Sequence, residues 1–228
     1  MTRLVLLPGL DGTGALFSGF IAAAPAGVRA EAVSLPPQLT SYPDLVEHFG
    51  PRLELGPDTV LLAESFSGPL AIQLAARVEL AGLILCNSFV VSPRSPLLGA
   101  LAAPFLFRYA LPAFLLRQFL VGPEASADLV DQVRAVLASI PRPILAARLS
   151  SVLKVDARAD LSRCRAPILY LRGLHDRLVP EASVAAVVRA ASNEVEVTRI
   201  HGPHLLLQAA PALAWEAIRP FLAQRNRI

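Results

Sequence analysis

The sequence predicts an α/β fold: a mostly parallel six-stranded sheet with helices on both faces and an inserted helical cap. Three observations predict it. Short apolar runs alternate with helical patterns along most of the chain, which implies a parallel sheet with right-handed crossovers. All but the last of these runs lack clean polar alternation, as expected of strands covered on both faces. The long interval from Cys86 to Ile168 breaks the rhythm, being rich in Pro and Leu with no convincing strand.

The first strand is Leu4–Leu7, ended by Pro8-Gly9. Arg29–Ser34 is a shorter second. Val60–Ala63, Leu83–Cys86 and Ile168–Leu171 follow, and Glu194–Ile200 closes the set. Glu194–Ile200 does alternate, which suits an edge strand. Helices are expected at about Tyr42–Leu55, Phe66–Arg77, Glu181–Ala191 and Leu205–Gln224. Within the insertion, Ser126 can cap a helix running to about Ile140, and Pro143 can open another in its first turn. The expected division is a core of residues 1–90 and 160–228 with a cap at 91–159.

Composition narrows the function classes. The chain has 228 residues, 54% hydrophobic and 17% charged. That suits one well-packed domain and excludes a disordered one. The net charge of +3 comes from arginines scattered singly, so no nucleic-acid footprint is expected. The two cysteines, Cys86 and Cys164, offer neither a disulfide framework nor zinc spacing, and reduced thiols in a cytoplasmic protein are expected. The N-terminal apolar run is too short for a signal peptide. Leu97–Leu120 is apolar enough to resemble a membrane span, but Pro104, Arg108, Pro112 and Arg117 interrupt it. Short apolar helices are expected there instead.

The chemistry centres on Ser65. The third strand ends in Ala63-Glu64-Ser65-Phe66-Ser67-Gly68 and a helix follows. A nucleophilic serine at such a turn sits on a sharp bend that exposes its hydroxyl and aims the helix start at the reacting oxygen. Small residues two before and two after it let strand and helix approach. Ala63 and Ser67 meet that steric rule, although both glycines of G-x-S-x-G are missing. Ser67 is the rival nucleophile, but its frame puts Pro69 on the flank and Ser67 inside the helix. A mere helix cap at Glu64-Ser65 is the plainer alternative.

Order along the chain favours chemistry over capping. A serine needs a base, and the base an orienting acid. Asp176 lies in the loop after the fifth strand; Asp156 and Asp160 precede that strand and are weaker candidates. Of the four histidines, His204 follows a Gly202-Pro203 turn after the sixth strand. That position favours it over His201 at the strand end, His175 beside Asp176, and His48 in an early helix. All three groups fall at one edge of a parallel sheet, where open α/β folds bind ligands. An oxyanion hole needs two N–H donors. Phe66 supplies one, and the loop Pro8-Gly9-Leu10-Asp11-Gly12-Thr13-Gly14 can present Leu10 as the other. That loop matches neither phosphate-binding glycine pattern.

These residues together resemble the α/β-hydrolase superfamily. The likeness rests on Leu7 to Gly14, on Ala63 to Gly68, on Gly173 with Asp176 and Val179-Pro180, and on Gly202-Pro203-His204 with Pro211. It implies Ser65, Asp176 and His204 as a triad, with Leu10 and Phe66 as oxyanion donors. The departures are Pro8-Gly9 in place of His-Gly, Ala209 where an acidic residue is frequent, and the missing elbow glycines. The chain opens at the strand usually third, which predicts a compact version without the first hairpin. It is similar to small cap-bearing esterases such as the pimeloyl-acyl-carrier-protein methyl ester esterases.

The cap is the substrate clue. Its Leu and Phe residues, Phe105 and Phe114 among them, mostly pack on the sheet, and the surplus points to a pocket for an acyl chain. Leu10, Phe66, Phe105 and Phe114 are the expected substrate contacts. Arg108, Arg117, Arg142 and Arg148 could meet a carboxylate or an acidic acyl carrier protein, or simply face solvent. The expected activity is hydrolysis of a carboxylic ester with an apolar acyl part, with no metal or organic cofactor. Thioester hydrolysis and acyl transfer use the same acyl-enzyme. A ligand-binding protein on the same fold is the alternative of a different class.

Overall fold

A computed structural model of the protein describes residues 2–93 and 112–225. Six strands form one sheet: β1 (Thr2–Leu7), β2 (Val28–Ala32), β3 (Thr59–Glu64), β4 (Gly82–Cys86), β5 (Ile168–Gly173) and β6 (Val195–Ile200). Every neighbouring pair is parallel, so the sheet is entirely rather than mostly parallel. The order in space is β2-β1-β3-β4-β5-β6. The winding direction therefore reverses between β1 and β3. In open α/β sheets that reversal leaves a crevice at the carboxyl ends of the two strands.

Side-chain alternation divides the core into two faces. Val5, Leu7, Leu61, Ala63, Leu83, Leu85 and Tyr170 join one cluster. It is covered by α2 (Tyr42–Phe49), α3 (Gly68–Ala75), α7 (Arg158–Leu161) and α8 (Glu181–Ala190). Leu4, Leu6, Val60, Leu62, Ile84 and Leu169 form the other. Its cover is α1 (Ser18–Ala22), α9 (Leu206–Ala209) and α10 (Pro211–Arg225). There Trp215 stacks on Phe20 with ring centroids 4.4 Å apart, and its indole N–H donates to the Phe20 carbonyl at 2.8 Å. The central strands β1, β3, β4 and β5 are buried almost throughout, while β2 and β6 are partly exposed edges.

Between β4 and β5 the described residues are helical: α4 (Ala113–Leu116) running into a π-turn (Arg117–Val121), α5 (Ala127–Ser139), α6 (Arg142–Lys154) and α7. Ser126 caps α5, accepting from the Leu129 N–H at 3.2 Å, and Pro143 sits in the first turn of α6. The insertion leaves and returns at one point, where Val91 and Asp156 form an isolated antiparallel bridge. Leu116, Val121, Val130 and Val133 pack with Leu16 and Leu205 in a small cluster above the sheet. Leu149 and Val152 of α6 join the main core. Most of Leu97–Leu120 lies outside the described residues. Among the described residues no single helix is long and apolar enough to cross a membrane; α5 and α6 pass that test only together, bent by 96°.

Two expected helices are shorter or broken, each at a proline. The helix expected over Tyr42–Leu55 stops at Phe49, before Gly50-Pro51. The one expected over Leu205–Gln224 divides into α9 and α10, with Ala210 at φ −139° just before Pro211. Ala210 is out of the α region, as proline demands of the residue before it. Gly50 stays in it at φ −46° and ψ −55°, and there Pro51 has no N–H to continue the ladder. Both cysteines are free and buried, and burial raises both thiol pKa values.

Candidate active site

The site is assembled from loops at the carboxyl ends of β1, β3, β5 and β6. β3 ends in extended backbone at Glu64, and Ser65 then takes φ +49° before a 3-10 turn (Ser65–Ser67) leads into α3. A non-glycine residue there costs about 1–3 kcal/mol and persists only when its surroundings impose it. Two hydroxyls help impose it. Ser88 donates to the Ser65 carbonyl at 2.6 Å, and Ser67 donates to the Pro8 carbonyl. Ser67 is fully buried and occupied in tying the elbow to the loop after β1, whereas Ser65 is only partly buried.

The structure brings Ser65, His204 and Asp176 together. His204 Nε2 lies 2.9 Å from Ser65 Oγ, and Nδ1 lies 3.0 Å from Asp176 Oδ1. The partners assign the tautomer: Nδ1–H donates to the carboxylate, leaving Nε2 to accept from the serine. Asp176 Oδ1 also accepts from the backbone N–H groups of Leu178 at 2.8 Å and Val179 at 3.1 Å. Its Oδ2 accepts from Arg172 Nη1 at 2.9 Å. Burial alone would raise the Asp176 pKa, but the imidazole, the Leu178 N–H and Arg172 outweigh it and hold it below the ordinary carboxylate value. For His204, burial favours the neutral ring, yet the charge and hydrogen bond of Asp176 hold its pKa above the ordinary 6.5.

The other candidates lie elsewhere. His175 and His201 are exposed and pack edge to face, 5.0 Å between centroids. His48 lies on α2. Asp156 and Asp160 are occupied by Arg158 and Arg163 at 2.6 Å each. Phe66 follows Ser65 and is buried, its carbonyl accepting from the Tyr42 hydroxyl at 3.0 Å. Leu10 is partly buried in a turn closed by the Gly12 N–H on the Gly9 carbonyl at 3.0 Å. Phe114, on α4, is 67% exposed. Phe105 and Arg108 lie outside the described residues. Arg117 donates to the carbonyls of Pro123 and Ala125. Arg148 overturns both expectations held for it. It is 1% exposed and does not face solvent, and its guanidinium Nη1 donates to the carbonyls of Leu10 and Asp11 and not to a carboxylate.

Three supporting groups were not expected. Asn87, at φ +44° after β4, donates to the carbonyls of Pro203 at 3.0 Å and His204 at 2.8 Å. Its Oδ1 accepts from the Gly173 N–H at 2.7 Å, so one amide clamps the loops after β5 and β6 together. Gly173 has no room for more: a Cβ there would come within 2.5 Å of the Pro203 carbonyl oxygen. Arg172, which the structure places inside β5 and not after it, holds Asp176 Oδ2 and also reaches Glu181 at 3.2 Å. Glu64, 1% exposed, accepts from Gln208 Nε2 at 3.0 Å, a second link between the elbow and the segment after His204. Burial pushes its pKa up to about 8, against the pull of Gln208 and His204. A charge ending an apolar strand, as in Leu-Ala-Glu and Tyr-Leu-Arg, was the available signal for Glu64 and Arg172. Among the described residues no group of three or more His, Cys, Asp or Glu is placed to hold a metal ion.

A parallel sheet with its reversal at β1/β3, a strained serine after β3, and an imidazole and carboxylate from the last two strands define an α/β-hydrolase. A model of the alpha/beta hydrolase family matches residues 4–217, and the chain belongs to that family. Solved structures agree on the fold. A bromoperoxidase from Bacillus anthracis is 17% identical, with TM-score 0.81 and coverage of 97% of this chain and 92% of that one. An esterase from Exiguobacterium antarcticum is 14% identical, with TM-score 0.80 and coverage of 98% and 92%. An enol-lactonase from Burkholderia xenovorans LB400 is 16% identical, with TM-score 0.72 and coverage of 97% and 91%. A search of curated proteins finds no significant match.

Proposed function

We propose that the chain is a serine hydrolase acting on carboxylic esters with an apolar acyl part. The observation that carries this is the chain of contacts from Ser65 Oγ to His204 Nε2 at 2.9 Å and from Nδ1 to Asp176 at 3.0 Å. Such a relay makes a weak alcohol nucleophilic. Ser65 Oγ attacks the ester carbonyl while His204 takes its proton. The N–H groups of Phe66 and Leu10 stabilise the oxyanion. His204 returns the proton to the leaving alcohol, and an acyl-Ser65 remains. Water, deprotonated by His204, then releases the acid and restores Ser65. The apolar cluster of Leu16, Leu116, Val121 and Leu205 close to the His204 loop supports an apolar acyl group.

A fluorophosphonate probe should label wild-type protein at Ser65. A p-nitrophenyl ester series of graded acyl length should be hydrolysed, and matched thioesters would reveal a thioesterase preference. An unlabelled protein that hydrolyses neither series would sink the proposal.

Two titrations should mark the pH dependence. The base works only as neutral imidazole, and its pKa is held above 6.5. Activity should therefore fall as pH drops through a value above 6.5. Burial pushes the Glu64 pKa up to about 8. The wild-type kcat/KM profile should show a second inflection there, which Glu64→Gln should lack while keeping the acid limb.

A further inference from the structure

Arg148 belongs to α6, in the segment inserted between β4 and β5, yet its guanidinium lies under the loop that follows β1. Nη1 donates to the carbonyls of Leu10 at 3.0 Å and Asp11 at 2.8 Å, and Nη2 reaches the Pro36 carbonyl at 3.5 Å. Leu10 and Asp11 are the central residues of the turn that the Gly12 N–H closes on Gly9. The same guanidinium lies over the Phe66 ring, 6.0 Å from its centroid. One side chain thus touches both residues assigned as oxyanion donors. The loop is shaped around it. Gly12 has φ +72°, and a Cβ there would stand 2.1 Å from Arg148 Nη1.

The charge balance is unusual. A buried guanidinium normally meets a carboxylate. Among the described residues no carboxylate oxygen lies within 4.0 Å of Arg148, and Asp11 acts on it from further away. Asp11 instead accepts from the backbone and hydroxyl of Thr13 at 2.9 and 2.6 Å. Carbonyl dipoles therefore hold the cation. Nη1 serves both adjacent carbonyls while Nη2 reaches Pro36, so the planar fork ties the turn to the Pro36 segment in fixed geometry; an ammonium keeps the charge without the fork. A positive charge held beside the Leu10 turn, the proposed source of an oxyanion donor, also acts more strongly in a dry site than in water.

We infer that Arg148 is a positioning residue: from α6 it holds the Leu10 turn in oxyanion-binding geometry, so that oxyanion stabilisation depends on how α6 is seated. This rests on the hydrolase reading of Ser65.

The test compares wild type, Arg148→Lys and Arg148→Met with p-nitrophenyl butyrate, alongside amide hydrogen exchange. In Arg148→Lys, kcat should fall about 10- to 100-fold with KM within about threefold, the pattern of a lost transition-state interaction. Exchange should quicken at the Gly12 N–H, which closes the turn, and at the Leu35 N–H, which donates to the Gly12 carbonyl at 2.7 Å. Arg148→Met should lose more; if it does not fold, Arg148→Lys decides. An Arg148→Lys enzyme with kcat within twofold and unchanged exchange overturns the inference alone. So does a loss confined to KM, which would mean contact with substrate rather than with the loop. A wild type that turns over no ester overturns the hydrolase reading and this inference with it.

Discussion

Ser65→Ala is expected to lower ester turnover by about 10,000-fold or more, with the fold intact. Loss of the nucleophile in a serine relay removes nearly all the catalysis the relay supplies, leaving only what binding and the oxyanion donors contribute. Stability should change little. The only hydrogen bond that the Ser65 hydroxyl makes among the described residues is to His204, and alanine inherits the backbone held by Ser88 and Ser67. A melting temperature within about 4 °C of wild type, the shift expected from about 1 kcal/mol, shows that the fold survives. Residual turnover above about one hundredth would exclude Ser65 as the nucleophile. Ser67 is then no ready substitute, being buried and donating to Pro8.

Asp176→Asn is expected to cost both activity and stability. The carboxylate is an acceptor for every partner it has: the imidazole Nδ1–H, two backbone N–H groups and Arg172. An amide replaces one acceptor oxygen with an NH2 donor. If that NH2 faces Arg172, a buried guanidinium loses its nearest carboxylate and keeps Glu181, at 3.2 Å on its Nε, and the backbone carbonyl of residue 176, at 3.3 Å on its Nη2. If it faces His204, the ring is driven to the wrong tautomer and Nε2 no longer accepts the serine proton. The tautomer effect alone has a scale of about 10,000-fold in kcat in serine relays. Leaving a buried charge wholly unpaired costs about 3–5 kcal/mol, and the Glu181 pair that stays on Arg172 keeps the loss below that. Urea unfolding with a kcat measurement checks both; a variant with wild-type midpoint and kcat above one tenth of normal would refute this account. Asp176 is held below the ordinary carboxylate pKa, so its stabilisation is present above that ordinary value and lost as pH falls through the lower folded value.

The strands were legible because a sheet covered on both faces needs uninterrupted apolar runs. The serine, aspartate and histidine were legible because each sits at a strand end, in a loop of turn-forming residues. The supports were not. Asn87 and Arg148 act on backbone carbonyls and amides brought close by the sheet, and a carbonyl leaves no signature in sequence. Arg172 instead holds the Asp176 and Glu181 carboxylates from the end of β5. Arg148 finds its partners 137 and 138 positions away. Besides solvent and an anionic partner, a cradle of carbonyls is a third host for a cation. The helix break at Ala210-Pro211 was visible as a dipeptide, but the apolar periodicity on either side overrode it. The same happened at Gly50-Pro51, where α2 stops short.

Trp215 is the chain's single tryptophan, and it is locked on Phe20 in the apolar cluster on the sheet face away from α2 and α3. The protein therefore carries its own optical gauge. Intrinsic emission excited at the indole band reports the integrity of this one face, in a blue-shifted position while the stack is dry. Because the indole stands apart from Ser65, a variant that loses turnover with unchanged emission has lost chemistry, and one whose emission moves to the red has lost its core.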